Sequence, residues 1–149
     1  MYLIKNVKQS NIDEVRSFLL EVPTIKEVDD QVLNNGIVLY YKKKIHMVVS
    51  YEIINDYALI RYFVYKRSVD KMFITELFNI IEEKLLKEDA EYMMTVANNK
   101  ELLNLFSSLD FKLATKEDKV IKYHLFKQFE TRDNKIMLRK PRLSMNFSN

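Results

Sequence analysis

An α+β fold is predicted: a mixed, mostly antiparallel sheet of about seven strands with helices on both faces. Three observations predict it. Residues 37–65 read as three consecutive strands joined by short polar turns, which makes the front half antiparallel. Residues 57–97 read as strand, long helix, strand, and that unit makes one parallel crossover. Apolar residues at helical spacing occur before the first of these segments and after the last, so helices are available for both faces.

In order along the chain, residues 2–7 are a β-rich run. Ser10 is a candidate N-cap with Asp13 in the first turn, and Ile12, Val15, Phe18, Leu19 and Val22 repeat at helical spacing over 11–22. Pro23 ends that helix. Thr24 and Glu27 make a capping-box pattern for a second short helix through Ile25, Val28 and Val32, stopped by Asn35-Gly36. Strand 37–41 follows, then the turn Lys42-Lys43-Lys44. Ile45, Met47, Val49, Tyr51 and Ile53 alternate in the next strand, Asn55-Asp56 turns the chain, and 57–65 is apolar on both faces in its middle. The long helix starts after Ser68, with Val69, Phe73, Leu77, Ile80, Ile81 and Leu85 along one stripe. A strand over 92–97, a helix carrying Leu102, Leu105, Phe106 and Leu109, and strands over 111–114 and 120–129 complete the pattern. Residues 1–129 read as one domain. Residues 130–149, where the periodicity fades, read as a basic C-terminal arm or an extra element of the same domain.

Composition excludes several chemistries. Among 149 residues there are one glycine, two histidines and no cysteine. Ordinary usage of about 7% would give about ten glycines. A Walker-type phosphate loop and a GxGxxG dinucleotide turn each need several, so neither is present. Without cysteine there is no disulfide framework, thiolate zinc site or cysteine nucleophile. Net charge is +3, and it is uneven: residues 127–149 hold six basic and two acidic residues, leaving −1 for the rest. No window approaches 18 uncharged apolar residues, and the N-terminus lacks the stretch of a signal peptide, so no membrane role is expected and the cytoplasm is the expected compartment.

His46, Ser50 and Glu52 share one strand and suggest a triad. At about 3.3 Å per residue, His46 and Ser50 stand roughly 13 Å apart, too far for proton transfer. Glu52 alone is a weak candidate general base for an amine. His124 lies between Tyr123 and Leu125 as a packing or edge residue. Tyr40, Tyr41, Tyr51, Tyr57, Tyr62 and Tyr65 cluster on the central strands. They read as β-favouring fill covered by helices, and nucleic acid is not expected as a partner. The basic tail, with Lys135, Arg139, Lys140 and Arg142 among Ile136, Met137, Leu138 and Leu143, either docks on an acidic partner or folds back as an extra strand.

The run Asn99-Lys100-Glu101-Leu102-Leu103-Asn104-Leu105-Phe106-Ser107-Ser108-Leu109-Asp110-Phe111 resembles the Asn-x-x-Ala-x-x-Leu-Tyr-x-x-Leu-Gly-Phe segment of the GNAT-superfamily acyltransferases. Asn99, Leu105, Leu109 and Phe111 match at the right spacing, and the element order over residues 2–128 is similar too. The resemblance implies a splayed strand that receives the pantetheine arm of acetyl-CoA or another acyl-CoA. Tyr62, Phe63, Val64 and Tyr65 stand there. It implies a Gln/Arg-x-x-Gly-x-Gly/Ala loop whose backbone N–H groups hold the pyrophosphate. Aligning on Leu77 sets Val69-Asp70-Lys71-Met72-Phe73-Ile74 in those places, so the loop is degenerate and Met72 and Ile74 bring carbon where glycine serves. It implies a tyrosine that protonates the departing thiolate, and Phe106 holds that place. The cofactor-binding residues so implied are Tyr62, Phe63, Val64, Tyr65, Lys71, Met72, Phe73, Ile74, Thr75 and Asn99. Lys66, Arg67 and Lys71 either attract phosphate as charges or form a solvated strand end, the more ordinary reading.

The expectation is a divergent member of that family, N-acetyltransferase-like, with impaired or absent acyl-CoA-dependent transfer and a protein partner. The alternative is an active N-acyltransferase for a small amine acceptor. Monomer and homodimer stay open.

Overall fold

The computed structural model describes residues 1–115, 118 and 134–141. Its elements are β1 (Tyr2–Asn6), α1 (Ile12–Leu20), α2 (Asp30–Leu33), β2 (Ile37–Tyr41), β3 (Lys44–Ile54), β4 (Tyr57–Tyr65), α3 (Lys71–Lys87), β5 (Tyr92–Ala97), α4 (Lys100–Ser108), β6 (Lys112–Leu113) and β7 (Lys135–Arg139). The seven strands make one sheet in the order β1-β2-β3-β4-β5-β7-β6. Neighbours are antiparallel throughout except β4 and β5, which the α3 crossover makes parallel.

Both faces of the sheet are covered, as the strand patterns demand. On one face Ile37, Leu39, Val49, Tyr51, Ala58, Ile60 and Met93 pack under Ile74, Leu77, Phe78 and Ile81 of α3 and Phe106 of α4. On the other, Val38, Tyr40, Val48 and Tyr62 pack under Ile12, Val15 and Leu19 of α1 and Val32 and Leu33 of α2. Alternation along β2 sends its odd and even residues to opposite cores, which is why the run Ile37–Tyr41 is apolar without a break.

The helix ends differ from the sequence reading in instructive ways. Ser10 does not cap α1. Asn11 occupies the N-cap, and its Oδ1 accepts from the Lys8 N–H instead (2.7 Å). The Thr24–Glu27 box is not used. Asp29 caps α2, accepting from the Gln31 N–H, while its own N–H donates to the Tyr62 hydroxyl (2.9 Å). That tether to β4 delays the helix until Asp30. Gly36 is not a left-handed helix stop, since no glycine has positive φ. It is needed for space: a Cβ there would lie 2.8 Å from the Leu33 carbonyl oxygen and 2.9 Å from Val7. The left-handed positions are taken by L-residues, Lys42 (φ 50°) and Lys43 (φ 68°) in the β2–β3 turn among them. Lys43→Gly is expected to raise stability by about 1 kcal/mol in a urea titration, because a side chain at such φ costs about 1–2 kcal/mol.

Lys135–Arg139, from the segment read as an arm or added element, is hydrogen-bonded between β5 and β6. Ile136 and Leu138 enter one buried cluster and Met137 another, so both faces of β7 are covered and no alternation is visible in the sequence. The strand expected over 120–129, with His124, lies outside the described residues.

Candidate functional site

The site begins where β4 and β5 part. They pair only at Tyr57↔Tyr92, Ala58↔Met93 and Leu59↔Met94. β4 runs on from Ile60 to Tyr65 against β3, and β5 runs on to Ala97 against β7. The two halves of the sheet therefore diverge past Leu59 and open a wedge. A bulge helps to bend β4 there: Ser50 faces Tyr62 and Tyr51 faces Ile60, so Arg61 has no residue opposite it. This is the splayed strand that the resemblance implied.

Past the bulge, side chains alternate between the two cores. Tyr62 and Val64 join the α1–α2 side, and Phe63 and Tyr65 join the α3–α4 side. Phe63 sits 5.1 Å from Tyr65, 5.2 Å from Phe78 and 5.7 Å from Phe106, centroid to centroid. Phe106, 2% exposed, also meets Phe111 at 5.3 Å. Aromatic rings from β4, α3 and α4 thus meet at the place where the resemblance implied a proton donor. Phe106→Tyr would bury a hydroxyl among rings. It is expected to lower stability by about 1–3 kcal/mol and to bring no acyl-transfer activity. Tyr65 keeps its proton at neutral pH, since burial first and the Glu101 charge second push its phenol up, against the smaller effect of Arg67.

The start of α3 is the second half of the site. Asp70 is the N-cap; its carboxylate accepts from the Met72 N–H (2.8 Å), and its carbonyl accepts from the Phe73 N–H (2.9 Å). Two of the helix's first free donors are thereby used by the chain itself. Val69 is not helical and tucks into the core beside Ile74, whose side chain lies on the same buried stripe as Leu77 and Phe78. Met72 is 64% exposed and turned to solvent. The Phe73 ring meets Tyr2 at 4.0 Å between centroids, tilted by 31°, Thr75 is half-buried, and Lys66, Arg67 and Lys71 are exposed. The bulk of Ile74 therefore goes into the core, and the group standing at the positive end of the helix is a carboxylate. A diphosphate seeks that end of a helix for its N–H groups and its field. Asp70 accepts from two of these N–H groups and sets a negative charge at that end of the helix. The sequence signal was the Asp-Lys-Met start itself, an N-cap residue type directly before a helix.

The other residues singled out from the sequence are placed apart. Asn99 caps α4, accepting from the Leu102 N–H (2.8 Å), which accounts for the asparagine that opens the matching segment. Asp110 takes the glycine's place in that segment and adopts φ 68°. Glu52 accepts from Arg61 (2.6 Å), and Asp29 lies 3.8 Å from the same guanidinium. His46 meets the Tyr41 ring edge-on, and burial, then Lys66 and Lys44, hold its pKa below the usual value. Ser50 is fully buried. No catalytic group is assembled from these three. Tyr40, Tyr51, Tyr57 and Tyr62 are buried, and among the described residues no cluster of His, Asp or Glu is arranged to hold a metal. No described helix is long and apolar enough to cross a membrane.

No protein-family model matches the chain, and no curated protein matches it in sequence. Solved structures do match. One is N-acetylglutamate synthase from Neisseria gonorrhoeae, complexed with coenzyme A and N-acetyl-glutamate (TM-score 0.73, 12% identity); the likeness covers 96% of this chain and 36% of that one. Another is a GNAT-family acetyltransferase from Staphylococcus aureus (TM-score 0.68, 14% identity), with 95% of this chain and 100% of that one covered. A third is the PaiA N-acetyltransferase from Thermoplasma acidophilum in complex with coenzyme A (TM-score 0.63, 11% identity, 94% and 99% covered). At such identities the likeness is one of fold: the chain has the fold of the GNAT acetyltransferases.

Proposed function

We propose that the protein is a GNAT-superfamily member in which acyl-CoA-dependent transfer is impaired or absent, and that it serves by binding a partner. One observation carries the reading. The carboxylate of Asp70 takes the Met72 N–H at the start of α3, where a nucleotide diphosphate would have to be held. Phe106, buried among rings and without a transferable proton, points the same way. Loss of a general acid alone lowers turnover by about 10²–10⁴-fold, so the lost anion site weighs more.

A second reading, an active N-acyltransferase for a small amine, is favoured by the wedge between β4 and β5, which is kept. Thiol release from acetyl-CoA and longer acyl-CoAs, with a panel of amines, separates the two. The first reading expects release at or little above the rate without protein, without saturation by the amine. Saturable turnover with any amine would establish the second.

A further inference from the structure

The first three strands hold a feature that the GNAT-like wedge does not use. β1 is the end strand of the sheet, and no described strand lies beyond it. The Met1 carbonyl accepts from the Lys42 N–H, and the Val7 N–H donates to the Gly36 carbonyl, so both point towards β2. Strand backbone groups alternate sides with a period of two. Leu3 and Lys5 therefore face β2 as well, and the N–H and C=O groups of Tyr2 and Ile4 face outward. The Asn6 carbonyl, next on that edge, accepts from the Asn11 side chain (3.1 Å), which closes the far end.

An open cleft of about 1000 Å³ runs along this strand. β1 supplies Leu3, Ile4, Lys5 and Asn6 to its lining; Lys8 and Lys43 bring two more ammonium groups, Glu14 is the one carboxylate, and the Lys42 ammonium lies over the Tyr41 ring at 5.3 Å instead. Leu3 is 50% exposed on its floor. Lys5 lies over the ring of Tyr40 at 5.6 Å. Each feature constrains an occupant. A cleft that follows a strand edge which no described strand pairs suits an extended chain, whose own backbone can pair with Tyr2 and Ile4. Three lysines, Lys5, Lys8 and Lys43, against one glutamate select for acidic residues. The exposed leucine offers apolar contact at an alternate position. Five residues of strand span roughly 17 Å, the length of a peptide of about five residues.

We propose that the cleft between β1 and α1 is a docking site for an extended acidic peptide segment of a partner protein, which adds a strand to β1. This gives the partner-binding part of the proposed function a surface. Its test involves no coenzyme A, so it stands or falls apart from the state of the α3 site.

The probe is a fluorescein-labelled peptide of alternating glutamate and leucine, seven residues long, followed by fluorescence anisotropy on the full chain. Saturable binding is expected, weakening several-fold between low and physiological salt. Lys8→Glu with Lys43→Glu, both in exposed segments, is expected to weaken it by about tenfold with an unchanged circular dichroism spectrum. The same peptide N-methylated at every second amide is expected to bind about tenfold more weakly to the unaltered protein, since its backbone can no longer pair. Should the double variant fail to fold, the N-methylated peptide decides the matter alone. Absence of binding at millimolar peptide, or equal binding of the N-methylated peptide, overturns the proposal. Binding that survives both lysine substitutions also overturns it.

Discussion

Replacing Arg139 by alanine is expected to lower the unfolding free energy by about 3–5 kcal/mol, the largest loss of any single exchange considered. Arg139 ends β7 and is 5% exposed. Its guanidinium donates to Glu82 of α3, to the Asn79 Oδ1 (3.0 Å) and to the Leu109 carbonyl (3.1 Å). One side chain thus ties the strand to α3 and to the end of α4. Removing it leaves the carboxylate of Glu82 buried without its principal counter-ion, and a buried charge without its ion costs far more than the pair contributes. Two comparisons make the expectation specific. Arg139→Met with Glu82→Leu removes both charges and is expected to recover most of the loss. Lys140→Ala, an exposed neighbour, is expected to change stability by no more than about 0.5 kcal/mol. Urea unfolding followed by circular dichroism measures all three. A loss below about 1 kcal/mol for Arg139→Ala would contradict the burial of β7 in the sheet.

Substitution of Asp70 is expected to create affinity for coenzyme A. Asp70→Asn keeps a capping side chain but removes the charge; it is expected to tighten binding by about tenfold, the effect of lifting a like-charge repulsion near an exposed helix end. Asp70→Gly with Met72→Gly also frees the Met72 N–H and lets a ligand approach the backbone. A hydrogen bond to a charged group contributes about 1.5–3 kcal/mol, so a further tenfold or more is expected. The cap loss costs about 1 kcal/mol of stability, which the fold should tolerate. Ile74→Gly is the wrong exchange, although the family pattern invites it. Ile74 is 3% exposed in the core under α3, so the exchange is expected to cost about 3–4 kcal/mol and to open nothing towards the ligand.

These two results rest on features of different legibility. The order of strands and helices through residue 111 was readable because each element is amphipathic or doubly covered in a pattern that sequence preserves. β2, for example, feeds two cores, and α3 presents Ile74, Leu77, Phe78 and Ile81 on one stripe. Asn99 was legible as a match to the family segment but not as the cap of α4 that the structure shows. β7 was not. Ile136, Met137 and Leu138 are buried on both faces, and the arginine that closes the strand looks like a surface charge until its partners on α3 and α4 are known. Sequence carries no trace of contacts made across 57 residues, such as Arg139 with Glu82. The α3 start was half legible. Met72 and Ile74 at the places the resemblance gives to glycine could be read, but not the direction of the two side chains. One lies in solvent and the other in the core, and the proposed obstruction falls to Asp70, which caps the helix.

The most direct measurement is a calorimetric titration of coenzyme A into the unaltered protein. With the Asp70 carboxylate seated on the Met72 N–H, no saturating heat is expected below about 1 mM ligand, a binding free energy weaker than about −4 kcal/mol. A saturable transition at micromolar coenzyme A would contradict the account, because it would mean that the diphosphate is held at the start of α3 despite the acid that caps it.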